Sequence, residues 1–407
     1  MKHASVASVV VALAVSVSLE GCASPDKPRA AGPETPSASP QPAASAPSAE
    51  VPSPAAPIAG APPAPALPPP KPTTLALART NDAALDGMLA EADKAFEADD
   101  LDKALAGYEA AKKTAPRRAA PIVGVARVKV TKASPTLGFA AAEKNPAVLA
   151  AAKELKRAAD LEPTFGPAFV EHGRALLLLG NAAEAEAALR KGTTLVPGEP
   201  EAHSALGIAL LATGKTEEAL AELTKAKDLD PGSAARRGNL GTVLFMRGRV
   251  RDAIKEYEVQ ARLAPDDARA RSDLGTALLA ESDFARAVPE LRRAIELDPK
   301  RATFRSNLGY ALQLQGKVTE AIAEYREAIR LDPKLASAWI NLATALARDP
   351  KTRAEARDAL KTAGSIDPSD PRVKANLEEL DALEKQGGGA AQPGGAGRPA
   401  EAATPKR

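Results

Sequence analysis

The sequence is poor in nearly every group that would announce a chemistry. It holds a single cysteine, Cys22, so no disulfide can close within the chain. Aromatic residues make up 3% of it, too few for a base-stacking platform. Neither sign of charge prevails: 54 Lys and Arg stand against 52 Asp and Glu, a formal charge of +2. Such a balance creates no field that would mark a nucleic-acid binder. Only three histidines occur, and beyond His3 they are His172 and His203. With no third ligand at metal-like spacing, these two read as packing residues rather than metal ligands or acid–base groups. No nucleophile–histidine–carboxylate set stands out either, so the chain reads as a non-enzyme without cofactor or metal. Length alone would suggest two or three globular domains.

What is present overrides that prior. Three stretches, beginning at Asn239, Asp273 and Asn307, repeat one pattern of small, apolar and charged residues, and their closing prolines Pro265, Pro299 and Pro333 fall 34 residues apart. A fixed period of this length marks a repeat solenoid. Counting each unit from Ala234, Ala268 and Ala302, position 8 is Gly241, Gly275 and Gly309, and position 20 is Ala253, Ala287 and Ala321. Small residues there are expected to let two antiparallel helices approach closely. Leucines at positions 7 and 11 share one helical face (Leu240 with Leu244, Leu274 with Leu278, Leu308 with Leu312). The proline at position 32 stops the second helix, lacking an N–H and disfavouring helix just before it. This pattern resembles the tetratricopeptide repeat. The resemblance implies an all-α, right-handed superhelical solenoid of antiparallel helix pairs.

The spacing extends the array in both directions. Pro163, Pro197 and Pro231 precede the three units at the same interval, and Pro368 follows at 35, its extra residue assigned to the turn Arg348–Lys351. Ala92, Ala104, Tyr108, Ala111 and Pro116 fit a first unit over 85–118. The second unit is stretched, because Pro116 to Pro163 is 47 residues, 13 beyond one period; the surplus falls in an interhelix loop at about 134–146. Eight units are expected over 81–370, with a capping helix over 371–386 (Val373, Leu377, Leu380 and Leu383 on one face) and a disordered Gly/Ala/Pro tail over 387–407.

The chain before the array has two parts. Residues 1–21 read as a signal peptide, with Lys2 followed by an apolar run from Ala4 to Leu19, short of the roughly 20 residues of a membrane span. The run ends in Leu19-Glu20-Gly21-Cys22, which resembles the bacterial lipobox, although Glu20 departs from the small or apolar residue usual there. That resemblance implies lipidation at Cys22, a cell-envelope location, and an outer membrane anchor facing the periplasm, since Ala23 follows the cysteine. An ordinary secretory signal is the alternative. Residues 22–80 are expected as a disordered linker, because residues 23–72 hold nearly half of the 36 prolines among Ala and Ser.

Three patterns inside the array invite a function. Ala209 to Thr216 fits a relaxed phosphate-binding loop, yet Gly214 corresponds to Gly180, Gly248 and Gly316, and reads as the turn glycine between two helices, with no strand before it. Position 4 carries Arg237, Arg271 and Arg305 in register with Phe169, His203 and Trp339. These arginines could form an anion-binding stripe, or could cover apolar surface with their stems while the guanidinium groups reach water; the second is favoured. Position 6 is Asn239, Asp273, Asn307 and Asn341, flanked by Thr242, Thr276 and Tyr310 at position 9 and by Phe245 and Leu279 at position 12. An asparagine side chain can donate and accept at once, which suits an extended peptide backbone, and in the resembled family such residues can line the concave groove; the same asparagines can equally be structural. The expected function is an envelope-anchored scaffold that binds proteins or extended peptides through this face, with membrane contact through the anchor and no nucleic acid. Assembly of a pilus or secretion system is the implied setting, by resemblance to lipoprotein pilotins. A self-associating structural or periplasmic organiser and a regulatory arm of an enzyme complex are the alternatives.

Overall fold

The computed structural model describes residues 75–133, 142 and 144–388, which belong to one compact unit. The expectations for Cys22, for residues 1–74, for most of the 134–146 loop and for the tail beyond 388 lie outside these residues. The described chain is all-α, with 17 helices in sequential antiparallel pairs. The pairs are α1 (Ala83–Glu97) with α2 (Leu101–Thr114), α3 (Ala119–Ala133) with α4 (Pro146–Leu161), α5 (Gly166–Leu178) with α6 (Ala182–Leu195), and α7 (Pro200–Ala212) with α8 (Thr216–Leu229). They continue as α9 (Ala234–Met246) with α10 (Val250–Leu263), α11 (Ala268–Ala280) with α12 (Phe284–Leu297), α13 (Ala302–Leu314) with α14 (Val318–Leu331), and α15 (Ala336–Leu346) with α16 (Arg353–Ile366). The unpaired α17 (Pro371–Gly388) closes the series.

Local chemistry fixes where these helices begin and end. Asp82 accepts from the amides of Ala84 and Leu85 at the start of α1, and Asp100, Asn145, Ser233, Asp267 and Asp283 cap α2, α4, α9, α11 and α12 in the same way. A cap of this kind contributes about 0.5–2 kcal/mol. Each second helix stops two residues before its closing proline, as α10 does before Pro265 and α14 before Pro333. Within most pairs the turn needs one left-handed residue, and Gly180, Gly214, Gly248 and Gly316 supply it with φ between 72° and 80°. Two units put a side chain there instead, Asp99 at φ 61° and Ser282 at φ 60°, a conformation that costs any residue with a Cβ.

The packing inside a pair differs in one respect from the sequence expectation. Position 8 is small because of position 24, not mainly because of the alanine at position 20. A Cβ on Gly241 would stand 2.7 Å from the Tyr257 ring, and one on Gly309 2.7 Å from that of Tyr325. The alanine contributes only its backbone, with Ala321 O at 3.2 Å from the same point on Gly309. The glycine is thus a socket for a large side chain, and Tyr108, Leu189, Leu223, Leu291 and Tyr325 are all fully buried.

First helices of successive pairs also reach one another: α1 meets α3, α3 meets α5, α5 meets α7, α11 meets α13 and α13 meets α15. They therefore line the inner side of the array, and the candidate groove belongs to them. In the stretched second unit, Ala142 is buried and donates its N–H to Leu178 O at 3.1 Å, which ties that part of the insertion to α5.

Candidate functional site

The inner face divides into an open half on α9 to α15 and an occupied half on α1 to α7. In the open half the asparagines of position 6 each reach back to the preceding unit. Asn239 Nδ2 donates to Ser204 Oγ at 3.2 Å, Asn307 Nδ2 to Thr276 Oγ1 at 3.2 Å, and Asn341 Nδ2 to Ser306 Oγ at 3.4 Å. The same bond extends into the capping helix, where Asn376 Nδ2 meets Thr344 Oγ1 at 3.2 Å. The amide nitrogens thus stitch neighbouring units together. Among the described residues no donor meets their side-chain oxygens, so acceptance is the capacity they keep for a ligand. The threonine hydroxyls are committed as well: Thr242 donates to Gly238 O and Thr276 to Ser272 O, at 3.0 and 2.9 Å, and Thr242 accepts from Tyr257 Oη at 3.1 Å. Phe245 and Tyr310 are half-buried on this face, whereas Leu279 lies in the core.

Asp273 breaks the asparagine series. Gly238 stands where the units before Asn239 and Asn341 supply the accepting serine, and an ionised carboxylate has no proton to donate to Thr242, the counterpart of the threonine that Asn307 meets. Burial pushes its carboxyl up to about 6, against the pull of Arg269.

Position 4 forms neither an anion stripe nor a set of solvent-tipped cations. Arg237 donates to Glu256 at 2.7 Å, Arg271 to Glu290 at 3.0 Å and Arg305 to Glu324 at 3.0 Å, each pair largely shielded from water. Arg237 and Arg271 also reach back to the carbonyls of Pro231 and Pro265. His203 and Trp339 make the corresponding contacts, His203 with Pro197 O and Glu222 and Trp339 with Pro333 O. Arg237, Arg271 and His203 thus tie the turn before a unit to that unit's second helix, while Arg305 makes only the second of these contacts and Trp339 only the first. His172 is separately placed, its pKa lowered by burial and then by Lys156. Among the described residues no three His, Cys, Asp or Glu side chains converge as metal ligands. Gly214 turns between α7 and α8 at φ 78°, and Lys215 donates to Glu186 at 2.7 Å. Burial opposes charge on Glu186, yet bonds from Lys215, Arg190 and Thr213 hold its carboxyl at about 2.

The occupied half was not legible as a site in the sequence. Residues 75–80, the end of the expected 22–80 linker, run back along α1 as an irregular strap with Leu75 and Leu77 fully buried. The strap is read mainly through its backbone. Leu77 N–H donates to Asp93 Oδ2 at 2.6 Å, Arg127 Nη1 donates to Leu75 O at 2.8 Å, and Arg118 Nη2 donates to Thr80 O at 2.7 Å. Thr80 donates from N and Oγ1 to Asp86, and Arg79 pairs with Glu199 at the start of α7. Beneath it Asp93, Arg127 and Tyr108 form a closed buried group: Tyr108 Oη donates to Asp93 at 2.6 Å, and Arg127 donates to both. The guanidinium also lies 4.6 Å from the Phe96 ring centre. Burial drives the Tyr108 phenol well above its usual value, with Arg127 opposing the rise. Further along, Glu171, Arg174, Glu201, Arg236 and Asp230 link α5, α7 and α9 in a chain of alternating charge, closed by Arg236 Nη1 to Asp230 at 2.6 Å. Burial raises the Glu201 pKa against Arg174 and Arg236. One signal was available in the sequence: position 9 reads Asp93, Arg127 and Arg174 in the first three units, where later units carry Thr242, Thr276 and Tyr310.

These features define a helix-pair repeat protein whose first helices carry the groove residues. The repeat is the tetratricopeptide repeat: models of that family match residues 170–234, 272–336 and 308–371, and a second such model matches 210–273. The chain is accordingly a tetratricopeptide repeat protein. No curated protein matches the sequence. Among solved structures, the Cut9–Hcn1 hetero-tetramer of APC/C is similar at 18% identity and TM-score 0.56, over 75% of this chain and 57% of that one. YrrB, described as a repeat protein with an unusual peptide-binding site, shares 24% identity over 47% of this chain and 99% of its own, at TM-score 0.38. PilF of Pseudomonas aeruginosa shares 20% over 53% and 97%, at TM-score 0.46.

Proposed function

We propose that the chain is a scaffold of the cell envelope, anchored through a lipid on Cys22, that holds partner proteins by extended segments laid along the open half of its inner face. One observation carries the binding part of this reading. Asn239, Asn307 and Asn341 present side-chain oxygens at the same position of three units, with their nitrogens already fixed to the neighbouring unit. Acceptors locked in place lose little entropy when they receive the backbone N–H groups of a ligand. Phe245 and Tyr310 add half-buried apolar surface beside them. The anchor rests on Leu19-Glu20-Gly21-Cys22, and assembly of a pilus or secretion system rests on the likeness of such a leader, followed by repeats, to lipoprotein pilotins.

Two experiments test the parts separately. A photo-crosslinking residue at Phe245 or Tyr310 should capture a partner in cells, while the same residue at Lys255, on the outer helix α10, should not; equal capture at both moves the interaction off the inner face. Cys22→Ser should release the protein from the membrane fraction and change its electrophoretic mobility, and unchanged behaviour removes the anchor.

A further inference from the structure

The occupied half of the inner face has the features of a ligand site with its ligand in place. Two leucines two residues apart are buried, and they fall in different hydrophobic clusters, Leu75 with α5 to α17 and Leu77 with α1 to α5. Backbone N–H and C=O groups of the strap are met by side chains of the groove, Asp93 and Arg127, that lie within it at 3–6% exposure. Main-chain bonds of this kind do not depend on the side chains of the bound segment, so they can serve any extended segment whose side chains fit the pockets. Arg127 Nε, buried beside the strap, has no partner among the described residues, so the group can take one further acceptor. Its remaining contacts are the bonds from Thr80 N and Oγ1 to Asp86 at its last residue, the bond from Arg118 to Thr80 O, and the half-exposed pair of Arg79 with Glu199, which is weak by comparison.

We propose that the groove of α1, α3, α5 and α7 is a second binding site, specific for an extended segment with leucine-like residues two apart, and that Leu75–Thr80 is its resident competitor. A partner protein offering such a segment, with a side-chain acceptor in reach of Arg127 Nε, displaces the strap. The site is independent of the asparagine face in the open half, and neither proposal falls with the other.

The test uses the full chain and a fluorescent peptide copying residues 73–82. Leu75→Asp combined with Leu77→Asp should empty the groove, and the peptide should bind this variant at least tenfold more tightly than the wild type. Adding Asp93→Ala should abolish that binding, and a scrambled peptide should not bind at all. A folded variant that ignores the peptide overturns the proposal. Hydrogen exchange on the unaltered protein decides the matter if the variant does not fold. The Leu77 amide should exchange by local opening, faster than the amides in the middle of α1, and faster still to labelling when a competing Leu-x-Leu peptide is present. Exchange of Leu77 only through global unfolding overturns the proposal as well.

Discussion

Replacing Asn239, Asn307 and Asn341 together by alanine should lower stability as well as ligand binding, and the two effects can be pulled apart. Each amide makes one hydrogen bond to the unit before it, at 3.2 to 3.4 Å. A neutral hydrogen bond contributes about 0.5–1.5 kcal/mol net. The asparagines are half-buried, so water can replace part of each bond and the lower half of that range applies. The sites lie in different units and share no partner, so their losses should add to about 1.5–3 kcal/mol. The partner end supplies the control. Ser204→Ala, Thr276→Val and Ser306→Ala remove the same three bonds but leave every asparagine oxygen in place. Urea unfolding followed by helical circular dichroism should show similar losses for both triple variants. Binding of a segment captured on the inner face should be weakened by the asparagine set and kept by the hydroxyl set. An asparagine variant with an unchanged unfolding midpoint would refute the stitching role. Equal binding by both sets would refute the acceptor role.

Ser282 holds a left-handed turn that glycine fills in four other units, so Ser282→Gly should raise stability by about 0.5–1 kcal/mol in the same urea assay, and a loss would refute the assignment of strain. Arg236→Met should cost about 3–5 kcal/mol, because Asp230 and Glu201 lose a partner in a region where the Arg236 and Asp230 side chains are 2% and 1% exposed; a cost below about 1 kcal/mol would show the charge chain to be idle. Asp273 gives the array a pH dependence. Its folded pKa of about 6 lies above the ordinary 3.8, so the unfolded chain releases the proton first and stability falls as pH rises from about 4 to 6. The full shift corresponds to at most about 3 kcal/mol, reduced because 30% of the side chain meets water. Asp273→Asn should therefore be more stable than wild type at pH 7.5 and lose that advantage near pH 4, whereas an equal advantage at both would refute the burial argument.

The period, the pairing and the helix ends could be read from the sequence because each depends on contacts within one unit. Proline after a helix and glycine in a left-handed turn act locally, so every copy of the unit repeats the evidence. Position 4 shows where this fails. Arginine, histidine and tryptophan look unrelated as letters, and only the structure shows each reaching the proline carbonyl six residues back, as Arg237 reaches Pro231 and Trp339 reaches Pro333. The strap was illegible for a different reason. Leu75 and Leu77 follow a proline-rich stretch, and nothing local separates two leucines that dock from two that do not. Their partners Asp93 and Arg127 are 16 and 52 residues away, and neither carries a motif.

Position 9 ties these observations together. In a repeat of fixed geometry this position faces the inner side whatever residue occupies it, so its chemistry records what each stretch of groove meets. Where Asp93 and Arg127 stand, they meet backbone groups of the chain itself and need charge to hold them. Where Thr242 and Thr276 stand, hydroxyls spend their protons on their own helix and accept from Tyr257 or Asn307. The change falls between Arg127 and Thr242, where Arg174 pairs with Glu171 and Glu201 and Ile208 is buried and offers neither charge nor hydroxyl. A groove built for one continuous ligand would have no reason to change character there. The change is what two sites would leave, one filled by the chain and one left open.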